Sequence, residues 1–214
     1  MSNSPFDPRP PLFPWYPPPV TPKPVPPSIA DLLNSLQARP SLFGDCFTET
    51  KRPKIFVSYQ HSSDQYYYNL FSQVFHDIHE CVYDNSLRDE IDSEEPDYIK
   101  QRIRDEFITG TSCTIVLVGP TTYQRKHVDW EIKATLDKEH GLIGVQLPNL
   151  PVQPNNTVIV PDRLHCNIKS CYALWLTWQH LIANPATLTQ HVTDADNRPK
   201  DRIVNPHEIK KRNG

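Results

Sequence analysis

No stretch of the 214-residue sequence approaches the roughly 18 consecutive apolar residues that a membrane-spanning helix needs. A secretory signal is missing too, because the N-terminus is proline-rich rather than basic and then apolar. There is no basic excess: 22 Lys and Arg against 25 Asp and Glu give a net charge of −3, which removes any general pull toward nucleic acid or anionic membrane. The cysteines are five, an odd number, and show no CxxC spacing, while Cys113 lies inside an apolar run. A reducing compartment fits, and a cytoplasmic protein without nucleic-acid or membrane partners is expected. His165, Cys166 and Cys171 lack a second closely spaced ligand pair, so ordinary thiols and no metal are expected there. Asn155-Asn156-Thr157 matches a glycosylation acceptor, which carries no weight without secretion.

Apolar residues are also scarce, at 37% against roughly 45–50% for globular proteins. The prolines explain much of this, since 12 of the 23 fall within residues 1–27. Proline fixes φ and lacks an N–H, so such a segment cannot form helix or sheet ladders and is expected to be an extended arm. The arm is drawn as residues 1–53, with a short helix at 28–37 on a stripe of Ile29, Leu32, Leu33 and Leu36.

From Lys54 onward the pattern changes. Lys54 to Tyr59 reads as a short strand, and Ser62, Ser63 or Asp64 can cap a helix striped by Tyr67, Leu70, Phe71, Val74, Phe75 and Ile78. A second strand is expected at Cys81-Val82-Tyr83, then an acidic loop from Asp84 to Asp97, then a helix through Ile99, Ile103 and Phe107 that Gly110 stops. Ser112 to Val118 is the most continuously apolar run, as suits a central strand covered on both faces. Pro120 with Thr121 or Thr122 opens the next helix, which Gly141 is expected to end in a left-handed cap, and Leu142 to Leu147 forms a fourth strand. Beyond Pro148 come a strand near Thr157 to Val160, an aromatic segment with Tyr172, Trp175 and Trp178, a short helix opened by Asn184-Pro185, and a polar, frayed tail over 196–214.

Strands alternating with helices over short connections predict a parallel sheet with right-handed crossovers and helices on both faces, the domain running over 54–195. Ligands of such sheets sit at the carboxyl ends of the strands, which selects Ser58 to Asp64, Asp84 to Asp97 and Pro120 to Glu131. Phosphoryl acceptance needs acidic residues where Ser58-Tyr59-Gln60-His61 and Val118-Gly119-Pro120 stand. Dinucleotide binding of the Rossmann type needs a glycine-rich turn after the first strand, and neither that nor a P-loop is present. The acidic run from Asp89 to Glu95 reads as a solvated loop rather than a cation site.

Ile55-Phe56-Val57-Ser58-Tyr59-Gln60-His61, with Asp64 beyond, resembles the first strand and loop of Toll/interleukin-1 receptor (TIR) domains. Lys126-His127-Val128-Asp129-Trp130-Glu131-Ile132 resembles the helix that bears their active-site glutamate. Together with Ile103-Arg104, Ile115 to Tyr123 and Pro161-Asp162-Arg163-Leu164, these segments are most similar to the bacterial TIR-like subfamily that includes the Thoeris antiphage signalling protein. The likeness covers roughly Lys54 to Trp178. It departs from the pattern at His165-Cys166-Asn167, and at Cys171-Tyr172-Ala173, where Gly-Tyr-Ala is expected.

The resemblance implies a flavodoxin-like, doubly wound α/β fold and an enzyme that takes NAD as substrate, with no bound cofactor. The nicotinamide–ribose bond would be cleaved with Glu131 as the catalytic carboxylate, and ADP-ribose cyclised into a signal. Tyr59 or Trp130 would stack a ring of the substrate, while Ser58, His61, Asp64 and Asp84 sit where ribose hydroxyls would be bound. Self-association and a separate effector protein that reads the signal are the implied partners. A non-catalytic interaction module and a nucleoside deoxyribosyltransferase-like enzyme stand as the alternatives.

Overall fold

The computed structural model describes residues 12–14, as backbone, together with 54–82, 108 and 110–213, all within one compact unit. The helix expected at 28–37, the acidic loop and the helix after Pro96 lie outside the described residues.

Five parallel strands form the main sheet: β2 (Lys54–Ser58), β3 (Glu80–Val82), β4 (Cys113–Val118), β5 (Gly141–Gln146) and β7 (Leu174–Thr177). Their order is β3-β2-β4-β5-β7. Counted within that sheet this is 2-1-3-4-5, the flavodoxin-like order, whose topological switch point lies between β2 and β4. The fifth strand occupies the aromatic segment that carried no strand expectation. It pairs with β5 in the register Ile143↔Leu174 to Gln146↔Thr177.

Alternation along the strands sends side chains to two helical layers. Ile55, Val57, Cys113, Ile115, Leu117, Ile143 and Val145 pack against α1 (His61–Phe75), α4 (Trp178–Ala183) and α5 (Leu188–Asp196). On the other face, Val116, Val118 and Leu142 meet α2 (Lys126–Asp137) and α3 (Asp162–Lys169). Phe56 points the same way, into a small cluster with Ile108, Trp130 and Ala134. Ser58, two residues after Phe56, therefore faces α2 as well.

The local expectations are met unevenly. In α1 the buried positions are Asp64, Tyr68, Phe71 and Phe75, with Tyr67, Leu70 and Val74 half-buried, so the stripe is turned slightly from the expected one. No side chain caps α1; the carbonyl of Gln60 accepts from the Asp64 N–H at 2.8 Å. Gly110 lies in the left-handed region, with φ of 88°, while the helix it was expected to stop lies outside the described residues. Gly141 does not cap a helix. It begins β5, where an added Cβ would meet the Asp196 nitrogen at 2.8 Å, and Glu139 takes the left-handed turn with φ of 57°. Nor does the Glu131 helix open at Thr121: Thr122–Gln124 make a 3-10 turn and α2 begins at Lys126.

Two further corrections concern the chain ends. Leu12–Pro14 form a short strand, β1, antiparallel to β6 (Thr157–Ile159), although a proline-rich segment was expected to form no ladder. Leu12 and Phe13 retain their N–H groups, and a two-stranded edge tolerates the proline beside them.

Residues 203–213, expected to fray, are docked on α2 and α3. Asn167 donates to the Val204 carbonyl and accepts from its N–H, at 2.8 and 3.0 Å. Arg163 donates to the Asn205 side chain and to the His207 and Glu208 carbonyls. The polarity that suggested solvation is spent on a buried cation and on helix groups that need partners. No helix among the described residues is long and apolar enough to cross a membrane.

Candidate active site

Ser58 ends β2 on the α2 side, and Glu131 lies in the second turn of α2. The Ser58 hydroxyl donates to Glu131 Oε2 at 2.5 Å, with both residues almost fully buried, at 1% and 4% exposure. Thr135, one turn further on, donates to the Glu131 carbonyl at 2.8 Å and meets Thr114 of β4 at 2.6 Å. Side-chain hydrogen bonds thus tie the Glu131 helix to the two strands that flank the switch point.

Asp64 belongs to a second polar cluster at the same rim. It is fully buried, accepts from Asn149 Nδ2 at 3.2 Å and from the Thr122 hydroxyl at 3.4 Å, and Thr122 in turn accepts from the Gly119 N–H at 2.8 Å. Burial pushes the Asp64 carboxyl above the ordinary range, while hydrogen bonds from Asn149, Ser63 and Thr122 pull the other way. Gly119 is required by this approach, since a Cβ there would lie 2.4 Å from both Asp64 oxygens. The residues after β2, β4 and β5 accordingly converge on one carboxylate.

Tyr59 is turned into the core. Its ring stacks on Tyr68 with centroids 4.5 Å apart and contacts His61 at 4.4 Å. The Tyr59 hydroxyl donates to Gln65 Oε1 at 3.1 Å, an oxygen that His61 Nδ1 approaches at 3.3 Å. Trp130 packs with Phe56, Ile108 and Ala134, and its indole N–H donates to the Lys210 carbonyl at 2.9 Å. Of the residues selected from sequence, Ser58 and Glu131 are in direct contact, Asp64 and His61 lie on the same rim, and Tyr59 and Trp130 are engaged in packing. Asp84 lies outside the described residues.

Four contributors were not named as site residues: Gly119 and Asn149, outside the selected rim segments, and Thr122 and His127, within them. The last stands one helical turn before Glu131, and burial lowers its pKa from 6.5 to about 4, against a hydrogen bond with the Tyr59 backbone that raises it; the charge of His61 lowers it further. The ring is therefore neutral near pH 7, and its buried Nε2 has no hydrogen-bond partner among the described residues. The i, i+4 spacing from Glu131 was the available signal. At a different place, Cys166 contacts His207 Nε2 at 3.2 Å, and no group of three or more metal-ligating side chains occurs among the described residues.

A five-stranded parallel sheet of this order, flanked by helices on both faces, is an α/β fold of the flavodoxin-like class and is consistent with a TIR-like domain. Residues 56–151 match the family described as Thoeris protein ThsB, TIR-like domain, and over that segment the chain is similar to a ThsB-like TIR-like domain. The matched segment contains both Ser58 and Glu131, whereas α3, β7 and the docked segment 203–213 follow it. No curated protein matches the chain.

Proposed function

We propose that the chain cleaves the nicotinamide–ribose bond of NAD, with Glu131 as the carboxylate that meets the ribose, and cyclises the resulting ADP-ribose as a signal in antiphage defence. The observation that carries this reading is the buried Ser58–Glu131 contact at the switch point of the sheet. Nicotinamide departs as a neutral molecule from a cationic ring, so the leaving group needs little acid assistance. What the reaction needs is negative charge beside an oxocarbenium-like ribose, which a carboxylate supplies by electrostatic stabilisation or by attack on the anomeric carbon.

The surrounding groups fit supporting roles. The Ser58 hydroxyl orients Glu131 and can pass its hydrogen bond to a ribose hydroxyl when substrate enters. Neutral His127 offers a ring nitrogen one turn away, and Asp64 with Asn149 offers a second polar anchor along the rim. Cyclisation requires that a nucleophile within the substrate reach the anomeric carbon before water does, and burial of the carboxylate favours a site that excludes water. Self-association of the domain, a cytoplasmic location and a separate effector that reads the product complete the proposal.

The test is direct. Purified protein is incubated with NAD and free nicotinamide is followed, wild type beside Glu131→Gln. Release by the wild type, reduced about a thousandfold or more in the variant, supports the role. Undiminished release in the variant removes it.

The near-complete burial of Glu131 favours one alternative, an interaction module whose carboxylate is structural. That reading predicts no nicotinamide from wild type, even when the domains are assembled at high concentration, and a loss of folding stability in Glu131→Gln.

A further inference from the structure

The first turn of an α-helix leaves N–H groups without intrahelical partners, and a residue just before the helix usually caps them with its side chain. Helix α2 has Arg125 at that place, which makes no side-chain cap. The capping oxygen comes instead from Asn213, whose Oδ1 accepts from the Lys126 N–H at 3.0 Å across 87 positions of sequence.

The same segment grips the next residues of the turn. The Lys210 N–H donates to Asp129 Oδ2 at 3.1 Å, the Lys210 carbonyl accepts from Trp130 Nε1 at 2.9 Å, and the Lys210 ammonium reaches the Tyr123 carbonyl. At the far end of α2, Asn205 donates to Asp137 Oδ1 at 2.8 Å. Beneath these contacts lies Arg163, fully buried, whose Nε and Nη2 donate to the Asp129 carboxylate at 3.0 and 3.4 Å while Nη1 and Nη2 also hold the segment. Residues 126, 129 and 130 are thus fixed from outside the helix, and residue 131 is the next one along.

We propose that residues 210–213 are the positioning element of the Glu131 helix: by capping and gripping its first turn they hold the carboxylate against Ser58, and Asn213 is a positioning residue for the reaction. The proposal rests on the role given to Glu131 above. A segment with a merely structural role would contribute to global stability without regard to where on α2 its bonds fall. Here three of the bonds fall on residues 126, 129 and 130, the turn that precedes the carboxylate. Loss of the grip lets that turn open while the sheet stays folded, since β2, β4 and β5 draw their packing from both helical layers.

The experiment uses the full chain with Asn213→Ala, Asn213→Asp and Asn205→Ala, and reads two quantities. Amide hydrogen exchange over residues 126–131 is expected to quicken about fivefold in Asn213→Ala, the size of a lost helix cap, and to return in Asn213→Asp, because aspartate caps as well as asparagine. With NAD as substrate, kcat is expected to fall by a similar factor in Asn213→Ala, with KM within about twofold, and to recover in Asn213→Asp.

Asn205→Ala, which grips the other end of α2, is expected to quicken exchange near residue 137 and leave kcat closer to wild type. Unchanged exchange over 126–131 in Asn213→Ala overturns the proposal, as does quickened exchange with unaltered kcat. If wild type leaves NAD intact, the catalytic reading fails separately, and exchange alone then decides whether the segment fixes the turn.

Discussion

Asp129 and Glu131 are two carboxylates on one helix, two residues apart and exposed by only 5% and 4%, yet they keep different company. Asp129 meets a buried guanidinium in a two-point contact and a backbone N–H from the docked segment. Glu131 meets the hydroxyl of a strand residue at the rim. An ion pair with extra hydrogen bonds is satisfied and fixed, and neither partner can leave without exposing the other's buried charge. A hydroxyl contact is weaker and can be exchanged for one to a ligand. One face of α2 is built to hold the helix, the other to present a group.

The sharpest way to break this comparison is to remove each charge in turn. Glu131→Gln is expected to lower nicotinamide release about a thousandfold or more while leaving the unfolding midpoint nearly unchanged, because the amide can still accept from Ser58. Asp129→Asn is expected to do the reverse, costing about 3–5 kcal/mol of stability in urea titrations by leaving Arg163 buried without its counter-charge. Equal stability losses in both variants would make Glu131 as structural as Asp129.

Next in size is Gly119→Ala. Its Cβ would fall 2.4 Å from the Asp64 oxygens, so a stability loss of about 1–3 kcal/mol is expected, with displacement of the Asp64 cluster. A variant as stable as wild type would show that Asp64 has room to retreat.

The rim also predicts two opposed pH slopes. The unfolded chain protonates His127 near 6.5 and the folded one only near 4, so this group's contribution is whole above pH 6.5 and falls as pH drops toward 4. Burial raises the Asp64 carboxyl above 3.8, so its protonated form favours the fold and stability is lost as pH rises from there through the raised value. Denaturation midpoints measured across this range should lose the first slope in His127→Gln and the second in Asp64→Asn.

The smallest effect lies on the holding side. Cys171 sits at a left-handed φ of 61°, a conformation that favours glycine. Its carbonyl accepts from Arg198 at 2.8 Å, and the turn delivers the Tyr172 N–H to the Asn167 carbonyl at 2.9 Å. Cys171→Gly is expected to stabilise the protein by about 1 kcal/mol by relieving the steric cost of that conformation. A destabilised variant would mean that the thiol's own contacts outweigh the strain.

The presenting side was largely legible in the sequence. The continuous apolar run at β4 marked the centre of the sheet, and the alternation of strand and helix put Ser58 at a strand end and Glu131 on the helix after β4, though their roles came from the resemblance and nothing local indicated that they touch. The holding side was not legible. A polar tail and a helix preceded by Arg125 look like solvated features, because the arginine, asparagine and aspartate that bury them are 34–87 positions from their partners. The edge strand β7 was hidden for a related reason: all four of its residues are half-buried, so it shows no alternation. Thr122 was read as a helix cap, but its hydroxyl is committed to Gly119 and Asp64, which favours a tighter turn and delays the helix to Lys126.

The cap that Asn213 places on α2 also bears on the order in which the molecule forms. Contacts between positions far apart carry a loop-closure cost and tend to form late, after the nearer pairings. The helix itself can grow from its own sequence, and the sheet can assemble around it, before the first turn of α2 is finished. The site is then completed only when the docked segment arrives, so a freshly folded sheet and an aligned glutamate are separate events in the life of this chain.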